Sequence, residues 1–334
     1  MSIWRRAAVL LGVGALLSMM VGGVLPAAAG PRTGEHQTFT YTIPGDAVFP
    51  EGVAVDRRTG FFYVGSTTDG TIFRGRLGWP SLAVFLPGGA DGRSTAIGMK
   101  VDRSGRLYVA GGATGQAWVY DTANRRLVRH FDTGLRQGTF LNDIAITPSG
   151  DAYVTDSLDP VLWRLPATAV RRPDPTVASP EAFIDFTGTA VVYQAGFNLN
   201  GIWPSADGRR LVVVQSNTGQ LFRIAVPTRR VAEISVAGGP LTAGDGILLA
   251  GRKLLVSRNA FQVIDTVALD GDLASGRVTA EYTDSTFMYP TTIALARSRV
   301  LIVDSQFDRR SASLPPVLPF TISSVPLARV LAGS

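Results

Sequence analysis

Apolar and polar positions along this chain repeat as one short unit that returns about every 46 residues. Each copy has an apolar strand, a polar turn resembling D-x-x-G, and a second apolar strand ending near Tyr-Val or Val-Val. The copies are EGVAVDRRTGFFYVGS from Glu51, IGMKVDRSGRLYVAGG from Ile97 and NDIAITPSGDAYVTDS from Asn142. They continue as NGIWPSADGRRLVVVQS from Asn200, DGILLAGRKLLVSRN from Asp245 and TTIALARSRVLIVDS from Thr291. The spacings are 46, 45, 58, 45 and 46. Short strands and Gly-rich turns at a fixed period of this size predict an all-β fold, a six-bladed β-propeller with one copy per blade.

The remaining strands follow from β-branched and aromatic content. Thr71 to Arg74 form a third strand of the first copy, and Leu107 to Ala110 lead through glycines to Ala117–Tyr120 in the second. Trp118, Trp163 and Trp203 read as packing between blades. Pro166 to Pro180 is rich in proline and polar residues, accounts for the one long spacing, and reads as a surface loop. A second loop is expected at Arg309 to Pro319. No long amphipathic helix follows the N-terminal segment. Thr38 to Ile43 precedes the first full copy and needs a partner. Pairing it with Phe320 to Val325 in the last blade closes the ring and removes an exposed sheet edge.

The N-terminus has a different pattern. Arg5 and Arg6 precede an apolar stretch from Ala7 to Leu25, and Ala27-Ala28-Ala29 offers a small-residue cleavage site. Residues 1–29 therefore read as a signal peptide and 30–334 as one propeller domain. The expected product is a secreted monomer, not inserted in a membrane after cleavage; the alternative is a retained membrane anchor. Removing Arg5 and Arg6 lowers the formal charge of +6 to about +4. Basic residues are scattered over turns without interleaved aromatics, which argues against nucleic acid as a partner. With 0 cysteines there is no disulfide or thiolate, and the 2 histidines, His36 and His130, lie outside the ring positions. That excludes a histidine-based zinc site and a Ser-His-Asp triad.

In a propeller the residue opening each inner strand faces a common axis. Here those residues are Glu51, Ile97, Asn142, Asn200, Asp245 and Thr291. The loop after the second strand returns to the same face with Ser66, Asp156, Gln215, Arg258 and Asp304. Glu51 and Asp245 supply anionic oxygens and Asn142 and Asn200 neutral amide oxygens, a set suited to Ca²⁺, Mg²⁺ or Mn²⁺. Asn-Gly, Asp-Gly and Glu-Gly also read as ordinary turn chemistry, although glutamate is a poor turn former.

These pairs carry a resemblance. Glu51-Gly52, Asn142-Asp143, Asn200-Gly201-Ile202 and Asp245-Gly246-Ile247 are similar, in order and blade, to motifs of the senescence-marker-protein/gluconolactonase family of six-bladed propellers, which includes regucalcin and bacterial lactonases. The resemblance covers the chain after the leader. It implies one divalent cation on the axis, Ca²⁺ first and Mg²⁺, Mn²⁺ or Zn²⁺ as alternatives, held by Glu51, Asn200 and Asp245. It implies a role for Asn142 beside the cation or on substrate; Asp156 and Arg258 are further candidates for binding substrate. Sugar-lactonase members commonly have an arginine where Phe140 stands, which points away from a sugar lactone and toward a more apolar lactone or ester. The expected activity is hydrolysis of such a small molecule, with Asp245 also the catalytic base. The competing reading is a non-catalytic propeller that binds a ligand or partner protein through the same face.

Overall fold

The computed structural model describes residues 37–174 and 176–334. The expected leader, residues 1–29, and most of the tether after it lie outside the described residues. The chain begins with β1 (Phe39–Ile43). The first copy forms β2 (Pro50–Val55), β3 (Phe61–Ser66), β4 (Ile72–Arg76) and β5 (Ala83–Leu86), and the second β6 (Met99–Val101), β7 (Arg106–Ala110), β8 (Gln116–Asp121) and β9 (Leu127–Asp132). The third forms β10 (Leu141–Ile146), β11 (Ala152–Asp156), β12 (Val161–Leu165), β13 (Val177–Ala178) and β14 (Glu181–Asp185). The fourth forms β15 (Leu199–Pro204), β16 (Arg210–Gln215), β17 (Leu221–Ala225) and β18 (Arg230–Ala237). The fifth forms β19 (Gly244–Ala250), β20 (Lys253–Arg258), β21 (Val263–Leu269) and β22 (Ser275–Tyr282). The sixth forms β23 (Pro290–Ala296), β24 (Arg299–Asp304) and β25 (Phe320–Pro326). Short helices α1 (Phe307–Ser311) and α2 (Leu327–Ala332) flank β25. Among the described residues no helix is long and apolar enough to cross a membrane.

The architecture is a β-propeller. Antiparallel sheets radiate from inner strands that touch in a closed circuit: β2, β6, β10, β15, β19, β23 and back to β2. Their faces are apolar because each packs against a neighbouring sheet. Val119 and Phe131 of the second copy share a core with Ile144 and Val154 of the third. Trp118 is fully buried between the first and second copies, and Trp203 of the fourth copy packs against the core shared by the fourth and fifth copies and against that shared by the fifth and sixth.

Two features differ from the sequence pattern. The described residues form five sheets, one of them eight-stranded, where six separate blades are expected. The fourth and fifth copies merge because the long strands β18 and β22 meet edge to edge, with Ser235–Ala237 parallel to Ser275–Arg277. The proline-rich stretch is also not a bare loop. A 3₁₀ turn at Ala167–Val170 buries Val170, and β13 pairs parallel with β9 of the preceding copy.

β1 pairs antiparallel with β25 over its whole length, Phe39 opposite Ser324 and Ile43 opposite Phe320. Tyr41 and Ile43 are buried against Phe62 and Val53 of the first copy. One sheet thus joins both ends of the described chain. Deleting residues 37–43 removes two buried side chains and exposes β25 as an edge. The expected melting temperature falls by about 10 °C, read by circular dichroism; an unchanged value would make β1 dispensable.

Five inner strands carry a bulge at one position. The register slips between Pro50 and Val53, Leu141 and Ile144, Leu199 and Ile202, Gly244 and Ile247, and Pro290 and Ile293. The glycines at three of these positions, Gly52, Gly201 and Gly246, and the equivalent Gly98 of the second copy do not serve as left-handed turns: none is among the residues of positive φ. They are required by proximity. A Cβ on Gly52 would lie 2.1 Å from the carbonyl oxygen of Ile97, and one on Gly201 would lie 2.2 Å from that of Asp245. Gly201→Ala should therefore cost about 1–3 kcal/mol in urea unfolding, as backbone must move to admit the methyl. A loss below about 0.5 kcal/mol, the scale of an ordinary surface change, would contradict so tight a contact.

Candidate functional site

The bulges set the site. Glu51, Asn142, Asn200 and Asp245 each occupy the bulged segment of an inner strand, where the extra residue re-aims a side chain. All four are buried, at 5–7% exposure. Glu51 and Asp245 are electrostatic neighbours, and the Asn200 side chain lies close enough to Asp245 to oppose the rise of its pKa. Thr292 donates to Glu51 Oε1 at 3.2 Å, and Thr291 donates to the Glu51 carbonyl at 3.1 Å.

The loops after the second strands orient these groups by one rule. Asn142 Nδ2 donates to Ser157 Oγ at 2.9 Å and Asn200 Nδ2 to Ser216 Oγ at 3.1 Å. Each serine in turn donates to a carbonyl of the next copy, Leu199 O and Gly244 O. In the fifth copy the axial group is an acceptor, and its partner is a donor: Asn259 Nδ2 reaches Asp245 Oδ2 at 2.7 Å. Tying down both amide nitrogens leaves their oxygens for other partners. Asn142 Oδ1 and Glu51 Oε2 are buried and without a hydrogen-bond partner.

Asp143 and Lys100 complete the cluster. Asp143 stands where four of the other five copies have glycine; its Oδ1 accepts from Lys100 Nζ at 2.7 Å and its Oδ2 from the Ile202 amide at 3.3 Å. Burial, then the negative charges of Asp245 and Asp143, hold the Glu51 carboxyl well above the usual carboxylate range; Thr292 and Lys100 oppose this. Burial, with a further contribution from Asp143, pushes Asp245 up to about 7, against hydrogen bonds from Asn259 and Asn200. Among the described residues no three His, Cys, Asp or Glu side chains group closely enough to hold a metal ion. Any cation here would draw on the amide oxygens as well.

Asp156 and Arg258 are committed elsewhere. The Asp156 carboxylate is fully buried and accepts from the amides of Phe140, Leu158 and Asp159, organising two loops. Arg258 pairs with Asp265 at 3.1 Å, donates to Thr242 O at 2.9 Å and lies over the Phe261 ring. The residues that reach the cluster, Ser157 and Asn259, are each one further along. Side chains alternate about a strand, so a displacement of one residue changes the face served. Asp143 and Lys100 escaped the sequence pattern too. The available signals were an aspartate breaking a series of glycines and one of only two lysines in the chain.

No protein-family model and no curated protein matches the sequence. Solved structures match the fold. The chain is similar to a calcium-binding protein, regucalcin, of Agrobacterium tumefaciens, with a TM-score of 0.59 and 18% identity, covering 85% of this chain and 95% of that one. It is similar to luciferin-regenerating enzyme, with a TM-score of 0.60 and 13% identity, covering 87% and 95%. It is also similar to the major allergen Mala s 1 of Malassezia sympodialis, with a TM-score of 0.62 and 14% identity, covering 86% and 95%. At these identities the likeness shows the fold, a β-propeller.

The raised carboxyl predicts a pH dependence. Asp245 moves from an ordinary 3.8 to about 7 on folding, so between these values the folded chain holds a proton that the unfolded chain has lost. Its contribution is therefore present at low pH and lost as pH rises toward 7. Asp245→Asn should flatten the fall in unfolding free energy between pH 4 and 8, on the order of 2–4 kcal/mol, measured by denaturant titration with chelator present. Asp304, also raised to about 7, retains its own share of the slope. An unaltered slope in the variant would rule out Asp245 as its source.

Proposed function

We propose that this chain is an exported, monomeric six-bladed propeller that hydrolyses an apolar lactone or ester at the axial cluster with one divalent cation, Ca²⁺ first. The eight-stranded sheet then counts as two blades, β15–β18 and β19–β22, each contributing one inner strand to the closed circuit. The observation that carries the reading is the pair of buried, unpartnered acceptor oxygens, Glu51 Oε2 and Asn142 Oδ1, in a cluster of like charge. Buried acceptors without donors are costly, and a hard cation satisfies them. Three carboxylates, Glu51, Asp143 and Asp245, against the one ammonium of Lys100 leave two negative charges uncompensated when all are ionised. A divalent ion carries the matching charge. The regucalcin neighbour is itself described as calcium-binding.

Glu51, Asn200 and Asp245 would hold the ion, which when bound polarises the substrate carbonyl and eases ionisation of water. Asp245 takes the proton as water oxygen bonds to the acyl carbon, and returns it to the alkoxide as the ester C–O bond breaks. Asn259 holds the Asp245 carboxyl in position. Asn142 Oδ1 faces no donor of the protein and can accept from water or a substrate hydroxyl. The apolar substrate class is supported by Phe140, which packs edge-to-face on Phe197 at 4.9 Å near the start of β10. Phe197 and Phe261 are largely exposed, at 47% and 55%.

Asp245→Asn should lower kcat/KM by about 10²-fold or more, since it removes the base but keeps an oxygen at the same place. Glu51→Gln should chiefly weaken cation binding. The measurements are turnover of a panel of lactones and aryl esters and calorimetric Ca²⁺ titration of each variant. Wild-type turnover in Asp245→Asn at saturating cation would sink the hydrolase and favour a binding protein using the same face.

A further inference from the structure

A second concavity opens at the other end of the inner strands, with a volume of about 650 Å³, within the range of small-molecule sites. The strands carry the chain from one site to the other. Glu51 to Val55, Asn142 to Ile146, Asn200 to Pro204 and Asp245 to Leu249 each take four residue steps, about 13 Å at the usual rise. The first member of each pair belongs to the axial cluster and the second lines the basin. Between them stands Lys100, which lines the basin while its ammonium is held by Asp143 at 2.7 Å.

The walls differ in chemistry. One side is cationic. Arg57 and Arg103 come from the turns after β2 and β6, Arg106 from β7, and Arg171 follows the 3₁₀ turn after β12. Asp102 is the only carboxylate in the lining, and it is engaged by Arg106 at 3.7 Å and by the amides of Ser104 and Arg106. Arg57, Arg103 and Arg171 are exposed and have no ion-pair partner among the described residues. The facing side is apolar: Trp203, Leu249 and Leu295, all half-buried. Unpaired guanidinium groups opposite an apolar wall, in one cavity of ligand size, match a molecule with an anionic head and an apolar body.

We propose that this basin binds an amphipathic organic anion, a carboxylate or similar oxyanion carrying an alkyl or ring body. Its head lies against Arg57 and Arg103 and its body against Trp203 and Leu249. The proposal does not depend on hydrolysis at the other face. The test is calorimetric titration of the purified chain with decanoate, its neutral counterpart decanamide, and inorganic phosphate. Decanoate is expected to saturate one site per chain, about tenfold or more tighter than either control, as charge-assisted hydrogen bonds and apolar burial both contribute. Arg57→Ala/Arg103→Ala, two exposed changes that leave the core intact, should lose that margin, whereas Phe261→Ala on the opposite face should keep it. Indole fluorescence should change on titration in the wild type and lose that change in Trp203→Phe. Equal binding of decanamide or phosphate, absence of saturation, insensitivity to the arginine pair, or loss in Phe261→Ala would each overturn the assignment.

Discussion

The innermost strands of this propeller meet through backbone rather than through side chains. At Gly52, Gly98, Gly201 and Gly246 a single methyl would fall within 2.1 to 2.6 Å of the next copy's main chain. Such contacts let neighbouring inner strands approach closely, and the ring closes around a narrow axis. Residues preceding these glycines are then pressed together whatever their charge. The convergence of Glu51 and Asp245 follows from glycine, a residue chosen for what it lacks.

That compression creates the electrostatic situation of the site. Carboxylates separated by up to 194 positions in sequence, Glu51 and Asp245, share a buried region with Asp143. Burial disfavours their charged forms, and mutual repulsion adds to it. One ammonium, Lys100, offsets part of the charge through Asp143. It also lies at the boundary between the axial cluster and the basin at the other end of the strands. The two ends of one set of strands thus have opposite character, anionic at the start and cationic at the finish.

Orientation is set by a second layer of matched partners. A serine follows the return strand where the axial residue is an asparagine, and an asparagine follows it where the axial residue is an aspartate. The serines go on to cap carbonyls of the next copy, so each copy helps to position its neighbour's axial residue. The buried oxygens of Glu51 and Asn142 are left unpaired by this scheme, an exception to the usual satisfaction of buried polar groups that the ligand proposed for the axis would remove.

Much of this was legible before any tertiary structure. The period of apolar strands and polar turns determined the all-β repeat architecture, and the need to cover an edge determined that β1 joins the last strand. The Glu-Gly, Asn-Gly and Asp-Gly pairs marked the axial residues, since those pairs recur at one place in the repeat. The purpose of the glycines was not legible, because a positive-φ turn and a close approach select the same residue. Nor was the choice of Ser157 and Asn259 over Asp156 and Arg258, which differ by one position in strands whose faces alternate. Asp143, Lys100 and the arginines of the basin are brought into relation by the closure of the ring. Their meaning depends on distances across copies, which a one-dimensional pattern does not contain.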